Sequence, residues 1–156
     1  MAESRRIPPS IHVALLSLLL VVSVQTGLAF LLAGASRVGF FQYLFAAAVA
    51  LLLVWGIVRG ARLAWMWGRP LGFFLALVPL AAIGLGLWKG LAMRWWEVAI
   101  VALGLSAPLL ASSIALGRPA ALEFFDLVCP RCGTVAKRGK DFLFRQALCG
   151  KCGHVW

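Results

Sequence analysis

Acidic residues are the scarcest ingredient of this 156-residue chain, which carries five Asp and Glu against fifteen Lys and Arg, and two His. So few carboxylates leave no pair spaced to share general acid and general base work. A Ser/His/Asp set and a glycine-rich phosphate loop are missing too. His12 stands at the start of an apolar run, far in sequence from any catalytic partner. The chain is therefore expected not to be an enzyme. Charge is absent altogether from four long runs, 11–33, 40–58, 71–87 and 98–116. Ion-coupled transporters and proton relays ordinarily keep an ionisable residue inside the membrane, so the four runs argue against that class.

Apolar surface is what the chain has in excess. It is 63% hydrophobic with a mean hydropathy of +0.96, more than a water-soluble domain can bury. The expected architecture is an all-α polytopic membrane protein with four transmembrane helices. The run 11–33 would measure about 34 Å as a helix, enough to cross the hydrocarbon core. Ser10 stands where an N-cap would, behind Pro8 and Pro9, which cannot continue a helix backwards. A cleaved signal peptide, with Ala33-Gly34-Ala35 as its processing site, is the rival reading. The apolar run is long for that, and three more spans follow, so a retained helix is expected. Arg59, Arg62 and Arg69, with Trp65, Met66 and Trp67 among them, read as an interfacial loop, and Trp88, Lys89, Arg94, Trp95 and Trp96 as the opposite interface. Pro79 and Pro108 fall inside the third and fourth spans, where membrane helices tolerate them.

Polar residues within the spans, such as Ser17, Ser23, Gln25, Thr26, Gln42, Ser106, Ser112 and Ser113, are expected to hydrogen-bond between helices. Ala82, Gly86 and Gly90, and likewise Ala107, Ala111 and Ala115, recur at four-residue spacing and suggest close helix packing or an oligomer face.

Basic residues are distributed unevenly around the spans. With the N-terminus inside, twelve of the fifteen fall on the cytoplasmic side, and only Arg37, Lys89 and Arg94 lie opposite. This bias predicts a multi-pass protein of a prokaryotic inner (cytoplasmic) membrane with both termini cytoplasmic.

Cysteine is confined to the last 28 residues, which contain Cys129-Pro130-Arg131-Cys132-Gly133 and Cys149-Gly150-Lys151-Cys152-Gly153-His154-Val155-Trp156. Two C-x-x-C pairs separated by 16 residues supply four thiolates at a spacing that reads as a closed tetrahedral metal site. In the reducing cytoplasm disulfides are not expected. Thr134 to Lys137 and Asp141 to Ala147 read as short strands joined by a turn at Arg138-Gly139-Lys140, with His154 to Trp156 as a third strand. In so short a segment the metal is expected to supply much of the folding energy, with Phe142, Phe144 and Trp156 as a small core or as the face that meets the membrane. His154 reads as a turn or strand residue rather than a ligand.

These two motifs resemble the zinc ribbon, a small β-hairpin module found attached to many prokaryotic proteins. The resemblance covers residues 129–156 only. It implies one Zn²⁺ per chain, held by Cys129, Cys132, Cys149 and Cys152, and it implies no particular function. Rubredoxin-type iron and a redox-labile or exchangeable zinc are the alternatives for the site. A catalytic zinc needs an open position, which four cysteines do not leave.

The expected organisation is an N-terminal cytoplasmic segment 1–10, a four-helix membrane domain 11–117, a juxtamembrane linker 118–128 and the ribbon 129–156. The apolar linker, with Leu122, Phe124, Phe125, Leu127 and Val128, is expected either to form a strand on the ribbon or to dip into the interface. The leading functional expectation is a membrane-tethered zinc ribbon that docks a protein partner or scaffolds a complex, through the basic turn around Gly139 and the aromatic end at Trp156. A homo-oligomer and anionic lipid headgroups are further candidate contacts beside the bilayer itself. A small transporter, channel or membrane-enzyme subunit regulated by its ribbon is one alternative. A membrane-bound regulator touching nucleic acid is another, for which the nearly neutral metal-loaded tail gives little support.

Overall fold

The computed structural model describes residues 7–33, 37–90, 94–136, 138–139, 144 and 146–156. Arg5, Arg6, Gly34, Ala35, Lys137, Lys140, Asp141, Phe142 and Arg145, to which the sequence assigned roles, lie outside these residues. The elements run α1 (Pro9–Leu32), α2 (Arg37–Val58), α3 (Arg62–Trp88), α4 (Trp95–Val101), a π-helical turn (Ala102–Ser106), α5 (Ala107–Leu116), α6 (Pro119–Phe124), β1 (Arg138–Gly139) and β2 (Ala147–Leu148). Four helices are long and apolar enough to cross a membrane, the fourth being the continuous rod of α4, the π-turn and α5.

Each span leaves most of its surface uncovered, with only 18 to 39% of its residues buried. Leu16, Phe45, Phe74 and Leu103 project outward, as expected of side chains whose solvent is lipid. α1 lies against α2 on one side and α5 on the other, and α3 packs on α5. α2 and α3 approach closely near their shared turn, where a Cβ on Gly56 would fall 2.7 Å from that of Ala64. Only a glycine permits that approach.

Several boundaries differ from those the sequence suggested. α1 starts at Pro9, its N-cap is Pro8, and Ser10 makes no cap bond: its hydroxyl is buried with no partner among the described residues. A proline suits the first turn because the N–H it lacks would have no intrahelical acceptor. α2 begins at Arg37 rather than at 40. The supposed interfacial loop from Arg59 to Arg69 is helical from Arg62 onward. The chain reverses within Arg59-Gly60-Ala61, Gly60 taking the left-handed conformation at φ +65°. Trp65 therefore points across the bundle, its indole N–H donating to the Leu116 carbonyl at 2.8 Å, while Trp67 stays exposed. Gly90, read as the third member of a small-residue stripe, lies beyond the end of α3 with φ +70°.

The π-turn has a local cause. Pro108 has no N–H to give, and in a regular helix its ring would press on the carbonyl four residues back, at Gly104. The helix widens instead, and the Ala107 N–H reaches back five residues to the Ala102 carbonyl. Of the serines read as interhelical links, Ser113 donates from α5 to the Arg69 carbonyl of α3 at 2.6 Å. Ser23 and Ser112 instead bond carbonyls of their own helices, and the buried Ser106 hydroxyl and Gln25 side-chain oxygen have no partner among the described residues.

The linker is mostly helix and turn, and of the strand expected on the ribbon only Val128 takes part, bridging Val135. Pro119 opens a short helix, α6, which ends in a turn at Phe125 and Asp126. Phe124 packs beside Gly60, and Phe125 and Leu127 are fully buried. One buried apolar cluster runs from Ile11 of α1 and Ile57 of α2 through Leu116 and Ala121 to Phe125, Leu127, Ala136, Phe144 and Ala147. The cysteine-bearing tail thus rests on the bundle end formed by the start of α1, the α2–α3 turn and the end of α5.

Candidate metal centre

Residues 127–136 and 147–156 are two copies of one ten-residue unit, Leu-Val-Cys-Pro-Arg-Cys-Gly-Thr-Val-Ala and Ala-Leu-Cys-Gly-Lys-Cys-Gly-His-Val-Trp. Their backbones share three hydrogen bonds at equivalent positions. Cys129 N–H donates to the Thr134 carbonyl and Gly133 N–H to the Cys129 carbonyl, at 3.0 and 2.9 Å. Cys149 N–H donates to the His154 carbonyl and Gly153 N–H to the Cys149 carbonyl, at 2.9 and 3.0 Å. Outside these bonds, Ala136 N–H meets the Leu127 carbonyl as Trp156 N–H meets that of Ala147. Val128 bridges Val135, and Leu148 bridges Val155. Each copy is a knuckle that turns the chain around its cysteine pair. The turn needs a left-handed residue after the second cysteine, and Gly133 and Gly153 supply it at φ +68° and +69°.

β2 joins the copies. It pairs antiparallel with β1, Arg138 opposite Leu148 and Gly139 opposite Ala147, and its other edge meets Val155. The third strand expected at His154–Trp156 is present as this bridge. Of the turn expected at Arg138-Gly139-Lys140, Arg138 and Gly139 are strand residues, and Lys140 lies outside the described residues.

The two knuckles bring all four sulfurs within 4.8 Å of one another. Cys129 Sγ lies 3.7 Å from Cys152 Sγ, and Cys132 Sγ lies 3.3 Å from Cys149 Sγ. A tetrahedral shell with metal–sulfur bonds of about 2.3 Å separates its sulfurs by about 3.8 Å, so the four thiols fit a metal ion. All four cysteines are free, and each of these close contacts pairs one knuckle with the other. Cys129 and Cys149 are buried, Cys132 half-buried and Cys152 exposed. His154 is outside the cluster, with its ring stacked on that of Trp156 at 6.1 Å. His12 is equally remote, its Nδ1 lying 3.3 Å from the Pro8 carbonyl.

The local dipoles favour sulfur as thiolate at two of the four positions. The Thr134 hydroxyl and backbone N–H, with Cys149, hold the Cys132 thiol down at about 6 against an ordinary 9.0. The N–H groups of Cys152 and Lys151 lower Cys149. At Cys152 the His154 N–H acts in the same sense, but burial and the other three sulfurs outweigh it and push the thiol up to about 11. Four sulfurs this close cannot all carry negative charge unless a cation sits among them.

The tail is fastened to the bundle by groups that sequence reasoning did not single out. Arg62, the first residue of α3, donates through Nε to the Phe125 carbonyl at 3.3 Å and through Nη1 to the Trp156 carbonyl at 3.1 Å. The Trp156 indole N–H donates to the Asp126 carbonyl at 2.9 Å. The ten-residue repeat was visible in the sequence to a direct self-comparison. The role of Arg62 was not, because its acceptors are backbone carbonyls that no residue type marks.

No family model, no curated protein and no solved structure matches this chain.

Proposed function

We propose that the chain is a multi-pass inner-membrane protein carrying a cytoplasmic zinc ribbon, and that it serves as a docking or scaffold component of a membrane complex. The observation that carries this reading is the pair of equivalent knuckles converging four free thiols on one point. Cys129, Cys132, Cys149 and Cys152 would hold one Zn²⁺, which closes the fold and leaves no coordination position for a substrate. Iron would fit four thiolates too, and elemental analysis separates the two. The excess of Lys and Arg on the loops that share the tail's end of the bundle supports a cytoplasmic tail and cytoplasmic termini.

Two surfaces were expected to receive a partner, the basic turn around Gly139, of which Lys140 lies outside the described residues, and the aromatic end at Trp156. Trp156 is engaged with Asp126 and Arg62, so it belongs to the attachment rather than to a free face. The knuckle tips are different. Pro130, Arg131, Gly150 and Lys151 are all exposed, and Arg131 and Lys151 occupy equivalent positions in the two copies. These tips suit an acidic segment of a protein partner. Reversing both charges, Arg131→Glu with Lys151→Glu, should abolish co-purification of a specific cytoplasmic protein while the zinc content stays at one per chain. Unchanged co-purification would refute docking at the tips.

A subunit of a transport or enzyme complex is the second reading, supported by two buried polar atoms with no partner among the described residues, the Ser106 hydroxyl in the π-turn and the Gln25 side-chain oxygen in α1. Solute flux into liposomes, unaltered by the purified protein, would remove it.

A further inference from the structure

The contact between tail and bundle has a geometry that depends on both knuckles at once. Phe125 lies four residues ahead of Cys129, at the root of the first knuckle, and Trp156 lies four residues after Cys152, at the root of the second. Arg62 donates to the carbonyl of each. The Trp156 carbonyl is simultaneously the acceptor of the Ala147 N–H at 2.9 Å, so the arginine bonds directly to the ladder of the second knuckle. Arg62 also opens α3, one residue after the turn Arg59-Gly60-Ala61 that ends α2. A planar guanidinium reaches two acceptors only when they stand at one fixed separation. Two short strands cannot hold that separation alone, and the four-sulfur shell ties the knuckles together.

We propose that Arg62 makes the α2–α3 turn responsive to metal occupancy: it latches the membrane helices to the tail while the two knuckles are clasped, and releases them when the clasp opens. This rests on the reading that the four thiols hold a metal. The latch is reciprocal. Whatever the closed tail contributes to order at the start of α3, Arg62 returns to metal affinity. Loss of metal frees the α2–α3 turn and uncovers the apolar junction of Phe125, Leu127 and Phe144. The device therefore converts metal loss into a change at the membrane end of the molecule.

The test uses the full chain in lipid nanodiscs, with Zn²⁺ in competition against a chromophoric chelator and with hydrogen–deuterium exchange read by mass spectrometry. In the wild type, chelation should speed exchange not only in 147–156 but also at the Ala64 and Trp65 amides, which close the first turn of α3 on the Ala61 carbonyl. Arg62→Ala should weaken zinc retention about tenfold. Arg62→Lys should fail to restore it, because an ammonium lacks the fork. Arg59→Ala, in the same turn and of the same charge, should bind zinc as the wild type does. If zinc binds but chelation leaves Ala64 and Trp65 unchanged, or if Arg62→Ala retains zinc normally, the latch is wrong and the zinc reading stands. If the wild type takes up no metal, both fall. The exchange measurement needs no variant, so a misfolded mutant cannot hide the outcome.

Discussion

The helices and the cysteine tail solve the same problem, too little buried surface, in opposite ways. The spans bury at most 39% of their residues, and lipid acts as solvent for the rest. Their backbone polar groups are satisfied within each helix, so a single span loses little by having an uncovered face. The tail has two-residue strands and isolated bridges. It rests on knuckle hydrogen bonds, four converging thiols that could hold a metal ion, and the apolar end of the bundle beneath it. The comparison teaches that the tail is the conditional part of this molecule and the bundle the unconditional part.

The largest expected effect breaks the tail and spares the helices. A Cys129→Ser, Cys149→Ser double variant, or chelation of the wild type, should unfold residues 127–156 while far-ultraviolet circular dichroism keeps the helical signal. The energy at stake is that of structural zinc in small domains, about 10–16 kcal/mol. Loss of the helical signal as well would mean that the bundle depends on the tail. Next, Phe125→Ala attacks the junction. Its side chain is 1% exposed, and truncation should cost about 3–5 kcal/mol, seen as tail unfolding at lower denaturant with helices still inserted. Trp65→Phe removes the bond to the Leu116 carbonyl and should cost about 1 kcal/mol, shared between α3 and α5. Ser113→Ala, which cuts the bond to the Arg69 carbonyl within the bundle, should cost about 0.6 kcal/mol and leave zinc retention untouched.

Acid sharpens the contrast in a graded way. Thr134 favours the Cys132 thiolate and holds its pKa well below the ordinary value, at about 6. A lowered pKa means that this ligand competes with fewer protons above that pH, and that the advantage is lost as pH falls through it. Zinc should therefore leave on acidification, and Thr134→Val should move the release to higher pH, as followed by chelator titration at several pH values. The helical signal should not follow that titration.

The same division explains what could be read from the sequence. The four spans and the four cysteines were legible because composition and spacing alone specify them. Helix boundaries were not. Arg62 to Arg69 looked interfacial by charge and indole content, yet between Gly60 and Pro70 only Gly68 disfavours a helix, by about 1 kcal/mol, and α3 starts at Arg62 and runs on through Pro70. The linker's apolar residues suited either a strand on the ribbon or a dip into the interface, whereas Pro119 at a first helical position and the buried Ala121 make its first half α6. The π-turn is centred just before Pro108, but a proline in a membrane helix can equally give a kink, and the sequence does not mark which. The seating of the tail on the bundle depends on Arg62 and Trp156 meeting backbone carbonyls, which carry no sequence signature.

X-ray absorption at the zinc edge of the intact purified protein tests the central claim most directly. The account predicts one zinc per chain surrounded by four sulfurs at about 2.3 Å. A shell containing nitrogen or oxygen, a protein loaded with iron instead, or no bound metal with the cysteines paired as disulfides would contradict it.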